Sequence, residues 1–194
     1  MKILIACEES QRVCIAFRKL GFEAYSCDIL DCSGGHPEWH IKGDALIEAY
    51  SGKYDMMIAH PPCTFLSNAA RFLYPKKMNP ARLKLNDAQV FFMKLLLAPI
   101  KHIAIENPIP SKVYFLPKYD QIIQPYEYEP FQKKTCLWLR NLPPLKPTNI
   151  LPKPESTKVA NWFNKGKDRQ KNRAKTFQIA DAMASQWSSV SPSL

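Results

Sequence analysis

Residues 2–28, running Lys2-Ile3-Leu4-Ile5-Ala6-Cys7-Glu8-Glu9-Ser10-Gln11 and on through Arg12-Val13-Cys14 and Phe17 to Gly21, Phe22, Cys27 and Asp28, decide the fold. Lys2 to Ala6 is a compact apolar run of strand length. Ser10 is of a type that caps a helix, and Val13, Cys14, Ala16, Phe17 and Leu20 then recur at a 3.6-residue period. Gly21 supplies the stop just past the helix end. Phe22 to Cys27 reads as a second strand ending at Asp28. Strand, helix and strand within thirty residues make a βαβ unit, whose crossover is right-handed. The expected fold is therefore α/β, with a mostly parallel sheet and helices on both faces.

Working outward, Asp31 to Lys42 is a polar loop, and Gly43-Asp44 leads into a short helix over Ala45 to Tyr50. Tyr54 to Ala59 is the next strand, and it runs into His60-Pro61-Pro62-Cys63-Thr64-Phe65-Leu66-Ser67. Two prolines stop a sheet and stiffen the chain beyond them, so Cys63 stands on a rigid loop at the strand's carboxyl edge. Asn68 to Tyr74 reads as helical and Pro75 to Pro80 as a basic loop. A stronger helix runs from an Asn86 cap to Leu97. Lys101 to Ile105 is a further buried strand that ends in Glu106-Asn107-Pro108. Asp28, Cys63 and Glu106 thus stand at three strand ends, the rim where open α/β sheets bind ligands. Packing alone does not call for three such groups there.

Beyond this rim the pattern loosens. Gln121 to Gln124 and Thr135 to Leu139 read as strands, antiparallel additions to the sheet edge. Leu142 to Pro154 is too rich in proline for regular structure, and Phe177 to Trp187 is a closing amphipathic helix. Lys158 to Lys175 carries seven cationic side chains, among them Lys165, Lys167, Arg169 and Arg173, against Asp168 alone. The whole chain has 194 residues with 27 Lys and Arg against 17 Asp and Glu, a formal net charge of +10. That excess points to a polyanionic partner, nucleic acid first. No apolar run approaches the roughly 20 residues of a membrane span. The opening strand is too short for a signal peptide, so a cytoplasmic protein with six reduced cysteines is expected. Cys27, Cys32, His36 and His40 have a loosely zinc-like spacing. They lack a pair of close cysteines, however, and no metal is expected.

The Pro-Pro-Cys and Glu-Asn-Pro loops resemble those of the cytosine-C5 DNA methyltransferases, and most of all the small methyltransferase-like proteins of bacteriophages and prophages. The likeness runs from Lys2 to about Leu142 and returns at the last helix. It implies a Rossmann-like, S-adenosylmethionine-dependent methyltransferase fold in a single domain spanning 1–194. It also implies Cys63 as nucleophile and Glu106 as the carboxyl against the base, with Pro108 where the family has valine. The donor would be S-adenosylmethionine: Asp28 on its ribose, Ile29 on its adenine, Asp44 at the adenine amino group. Cys7, Glu8, Glu9, Ser10 and Pro61 would complete that half of the pocket. Pro62, Thr64, Ser67 and Asn107 would border the target base. The expected partner is DNA, single-stranded or read with low sequence specificity, in a bacterial host cell if the protein is phage-encoded.

Three departures from the family pattern bear on function. The loop after the first strand has no glycine, which limits how closely backbone can approach a ligand. Gln132-Lys133-Lys134-Thr135-Cys136 stands where the family has Gln-x-Arg-x-Arg, so Lys134 would replace one catalytic arginine and Cys136 the other. Finally, 143–175 replaces a large target-recognition domain and offers phosphate contacts rather than base readout; Gln132, Lys165, Lys167, Arg169 and Arg173 are the expected contacts. Two alternatives remain open on these residues. One is a catalytically silent nucleic-acid- or donor-binding phage protein acting in counter-defence. The other is a methyltransferase acting on RNA or on a free cytosine nucleotide.

Overall fold

A computed structural model describes residues 1–67, 81–111, 115–128, 134–151 and 178–190. The strands are β1 (Lys2–Ala6), β2 (Glu23–Asp28), β3 (His40–Lys42), β4 (Met56–Ala59), β5 (His102–Pro108), β6 (Gln121–Ile123) and β7 (Thr135–Arg140). The helices are α1 (Arg12–Lys19), α2 (Ala45–Ala49), α3 (Ala81–Leu96) and α4 (Gln178–Trp187). The strands form one sheet in the order β3-β2-β1-β4-β5-β7-β6. β1 to β5 are mutually parallel, β7 runs antiparallel to β5, and β6 runs antiparallel to β7. The strand order reverses direction at β1 and β4, which makes the gap beyond their carboxyl ends the topological switch point.

Alternating side chains divide the core between the two faces. Ile3, Ile5, Met56 and Ile58 pack with Val13 and Phe17 of α1 and with Met183 and Trp187 of α4. Leu4, Met57, Ile103 and Ile105 pack on the opposite face with Ala45 and Ala49 of α2 and Phe92 and Leu95 of α3. All four residues of β4 are fully buried, as a central parallel strand covered on both faces requires. Two large indoles close the ends of this core with their N–H groups satisfied. Trp187 donates to the Pro143 carbonyl at 2.9 Å and Trp138 to that of Pro117 at 2.8 Å. The Arg140 guanidinium reaches the carbonyls of Leu96, Ala98 and Ile100, which ties β7 to the carboxyl end of α3.

Several expectations are corrected. Ser10 does not cap α1. Gln11 occupies that position in a left-handed conformation, makes no side-chain cap bond, and instead ties its amide to the His36 backbone at 2.7 and 3.0 Å. The 31–42 loop contains a three-residue strand, β3, too short to leave a period in the sequence. α3 begins five residues before Asn86, which is therefore inside the helix. β7 and β6 are added antiparallel at the β5 edge of the parallel block, as expected, with β7 next to β5, and the β7 pairing carries β5 on through Glu106, Asn107 and Pro108. The readings of Asn68 to Tyr74, Pro75 to Pro80 and Lys158 to Lys175 lie outside the described residues.

Candidate active site at the carboxyl edge of the sheet

Beyond the carboxyl ends of β1, β2, β4 and β5 lies a cavity of about 900 Å³, within the size range of small-molecule sites. Cys7, Glu8, Glu9 and Ser10 line it from the loop after β1, and Asp28 and Ile29 from the end of β2. Asp44 lines it from the start of α2, and Pro61, Pro62, Cys63 and Thr64 from the loop after β4. Glu106 enters from β5, one residue past the last β4–β5 pair, Ala59 with Ile105. The fold therefore gathers into one cavity residues that lie far apart in the sequence.

The loop after β1 solves the absence of glycine in its own way. Cys7 and Gln11 take φ of 59° and 57°, the left-handed region in which glycine is the unstrained choice, at a cost on the order of 1 kcal/mol each. Both the Cys7 and Glu8 N–H groups donate to the Cys27 carbonyl, at 2.7 and 3.3 Å, folding the loop back over β2. Gly34 then lies so close that a Cβ there would come within 2.6 Å of Gln11 Cβ and 2.7 Å of the Ser10 carbonyl oxygen.

Glu8 is the loop's most constrained group. It is buried, and its carboxyl oxygens accept the Val13 and Cys14 N–H groups at 2.7 and 3.2 Å. Burial pushes this carboxyl up to about 7, against the opposing pull of His60 and the two N–H donors. A dinucleotide-binding α/β fold places a pyrophosphate at this helix N-terminus. Here the protein's own carboxyl fills it, and Glu9, Asp28 and Asp44 add further acidic groups around the same half of the cavity.

Asp28 accepts the Leu30 N–H on Oδ1 at 2.9 Å, which fixes its turn, while Ile29 stands 74 % exposed at the cavity rim. Asp44 caps α2 by accepting the Leu46 N–H on Oδ1 at 2.9 Å. Cys63 opens a single 3₁₀ turn, Cys63–Phe65, and its carbonyl accepts the N–H groups of Leu66 and Ser67, both at 3.1 Å. Ser67 forms an isolated antiparallel bridge with Pro110, and Ser111 N–H donates to the Leu66 carbonyl at 2.9 Å. Ser67 and Asn107 are buried beneath the rim and do not line the cavity.

The fold does not bring every expected residue to the cavity. Lys134 lies just before β7, exposed and outside the lining. Cys136 pairs with Asn107 across β5 and β7 and is fully buried in the core. Burial, with Glu106 nearby, pushes its thiol up to about 11. The Cys136 thiol is thus packed among apolar side chains. Gln132, Lys165, Lys167, Arg169 and Arg173 lie outside the described residues.

Sequence reasoning overlooked His60. Its backbone N–H donates to the Ala6 carbonyl at 2.9 Å, and Nδ1 stands 3.3 Å from Glu106 Oε2. An ionisable residue directly after an apolar strand and three positions before the thiol was the available signal. Arg12, at the start of α1 and electrostatically coupled to Glu8, also lines the cavity, as does Asp87 of α3. Among the described residues no group of three or more His, Cys, Asp or Glu side chains is arranged to hold a metal ion. No helix among them is long and apolar enough to cross a membrane.

No protein-family model matches the chain, and no curated protein matches it. Among the solved structures that match is an Escherichia coli protein described as a candidate DNA modification methyltransferase encoded within a prophage. It shares 11% identity with this chain at a TM-score of 0.44, over 72% of this chain's length. The match spans 46% of that protein, so the chain corresponds to less than half of it.

Proposed function

We propose that this protein transfers a methyl group from S-adenosylmethionine to C5 of cytosine in DNA, with Cys63 as covalent nucleophile and Glu106 as the carboxyl facing the ring. The observation that carries this reading is the single cavity shared by Cys63, Glu106, Asp28 and Asp44, each delivered by a different element. The donor half of the cavity supports it on chemical grounds. A carboxyl already fills the helix N-terminus, so a phosphate-bearing cofactor would meet Glu8, Glu9, Asp28 and Asp44, which outnumber Arg12 in that part of the lining. A cationic, phosphate-free donor fits that lining. Asp28 would hold its ribose hydroxyls, Ile29 would cover its adenine, and Asp44 would accept from the adenine amino group. Cys7, Glu9, Ser10 and Pro61 would bound the rest of it. S-adenosylmethionine, when bound, supplies an electrophilic methyl group.

The remaining chemistry belongs to the protein. The thiolate of Cys63 adds to C6 of the ring, which turns C5 into a carbon nucleophile. Glu106, in its protonated form, gives its proton toward N3 and stabilises the charge that develops there. After C5 gains the methyl group, loss of H5 and departure of the Cys63 thiolate restore the aromatic ring. The target base must leave a duplex to reach this site, at a cost of a few kcal/mol that a single strand avoids. The excess of cations in the sequence supports a nucleic-acid substrate over a free nucleotide.

The test incubates the protein with isotopically labelled S-adenosylmethionine and, in parallel, single-stranded DNA, duplex DNA, RNA and deoxycytidine monophosphate, followed by nucleoside mass spectrometry. 5-Methylcytosine in DNA with wild type, and none with Cys63→Ser, is the expected result. Equal methylation by Cys63→Ser would sink the covalent mechanism. The buried Cys136, in place of an arginine, favours a second reading as a silent donor- and nucleic-acid-binding protein. Donor binding with no methylated product on any substrate would establish that second reading instead.

A further inference from the structure

We propose that His60 is the positioning residue that shares a proton with Glu106 and so keeps the Glu106 carboxyl supplied with the proton that the base requires. This inference rests on the methyl-transfer reading of the cavity. Its geometry is independent of that reading. His60 is fixed at the carboxyl end of β4 by its N–H to the Ala6 carbonyl, and Glu106 is held within β5 by pairing with Leu137 of β7. Both side chains are 23% exposed, and Nδ1 lies 3.3 Å from Oε2. At that separation two acceptors would repel, so one proton stands between them, on the imidazole or on the carboxyl. The charged and titratable groups around His60 come from each neighbouring element. Glu8 lies in the loop after β1, Arg12 at the start of α1, Glu106 on β5, and Cys63 on its own loop. Glu8 itself is raised by burial, while the neighbouring His60 pulls it down.

The proton balance is closed. As the Cys63 sulfur bonds to C6, the C5–C6 π pair moves into the ring and N3 takes the proton of the Glu106 carboxyl. That proton is the pair's one shared proton, drawn from His60 Nδ1 onto the carboxyl as the base binds, so Glu106 is left a carboxylate and His60 a neutral imidazole. When the thiolate leaves after methyl transfer, the N3 proton returns through Glu106 to His60. H5 leaves to solvent as the one proton released per methyl group gained. A carboxyl acting alone would surrender its proton at lower pH than the pair does, so His60 extends the competent range toward alkaline pH.

The experiment compares wild type with His60→Asn, whose amide can stand where Nδ1 stands without titrating, and with His60→Ala. Initial rates with labelled S-adenosylmethionine and cytosine-containing single-stranded DNA are measured from pH 5.5 to 8.5. Adduct formation is followed on an oligonucleotide carrying 5-fluorocytosine, whose fluorine cannot leave as H5 does. Thermal melts establish that each variant is folded. The expected result is a kcat for His60→Asn that is within about threefold of wild type at pH 6 and at least about tenfold lower at pH 8, with KM for both substrates little changed. A His60→Asn profile that superposes on wild type, or one lowered equally at every pH, would overturn the proton-sharing role. Wild type that forms neither adduct nor 5-methylcytosine would overturn the methyl-transfer reading itself, a separate outcome. If His60→Ala fails to fold, His60→Asn alone decides.

Discussion

Glu8 sets two physical effects against each other, and their balance is measurable. Burial disfavours its charged form, whereas the Val13 and Cys14 N–H groups and His60 favour it. Burial wins, raising the carboxyl from an ordinary 4.5 to about 7. A raised native value means that the folded chain holds a proton which the unfolded chain gives up as pH rises above 4.5. The stabilisation is therefore complete below pH 4.5, declines as pH rises, and is lost by about pH 7, where the folded state also ionises. At about 1.4 kcal/mol per unit, a shift of this size corresponds to roughly 3 kcal/mol. Glu8→Gln cannot ionise, and the cost of setting an amide nitrogen against the second N–H does not vary with pH. Urea denaturation of wild type and Glu8→Gln from about pH 4.5 to about pH 7.5, repeated in a His60→Asn background to remove the group coupled to Glu8, isolates the effect, since uncoupled titrating groups cancel in the difference. Wild type is expected to lose roughly 3 kcal/mol relative to the variant across that range. A flat difference would refute the dominance of burial. A difference of opposite slope would show that the helix N-terminus governs this carboxyl.

Gly34→Ala is expected to lower the melting temperature by several degrees, because the new methyl group meets Gln11 Cβ at 2.6 Å and backbone at 2.7 Å. An unchanged melt would mean that the 31–36 loop simply moves away. Asp28→Asn preserves the Oδ1 acceptor for Leu30 but removes the charge, and is expected to weaken S-adenosylmethionine binding about tenfold or more by calorimetry. Unchanged affinity would remove Asp28 from the donor site. Cys14, Cys27 and Cys136 are fully buried, and burial pushes their thiols up to about 12, about 12 and about 11. Iodoacetamide at about pH 8 should therefore label Cys32 and Cys63 first in native protein, as peptide mass spectrometry would show. Labelling of Cys14 or Cys136 as fast as Cys63 would contradict their place in the core.

What was legible in the sequence depends on what leaves a local signal. β1, β4 and α1 were readable because their buried faces impose continuous or periodic apolar runs, and Gly21 marked a helix end that does take a left-handed φ of 84°. Cys63, Glu106 and Asp28 could be placed on one rim from strand ends alone. The shared cavity could not, since it depends on strand order. β3 has three residues and no period to detect. β7 reads as a strand, but only long-range pairing with Asn107 and Pro108 reveals that it extends β5 past Glu106. The cap of α1 was misassigned to Ser10 because a local rule was applied to a loop whose left-handed Cys7 and Gln11 turn a more distant carboxyl, Glu8, onto the helix. His60 was missed for a related reason: its partner lies 46 positions away.

The small backbone clasp between Ser67 and Pro110, with Ser111 bonded to Leu66, makes the thiol loop and the Glu106 segment a single mechanical piece. Their separation is then a property of the main chain, not of side-chain rotamers. The amide of Ser111, which bonds across the clasp, should therefore exchange with deuterium only when the two loops part. A substitution that loosens either loop would be felt at the other, without any residue of the cavity having been touched.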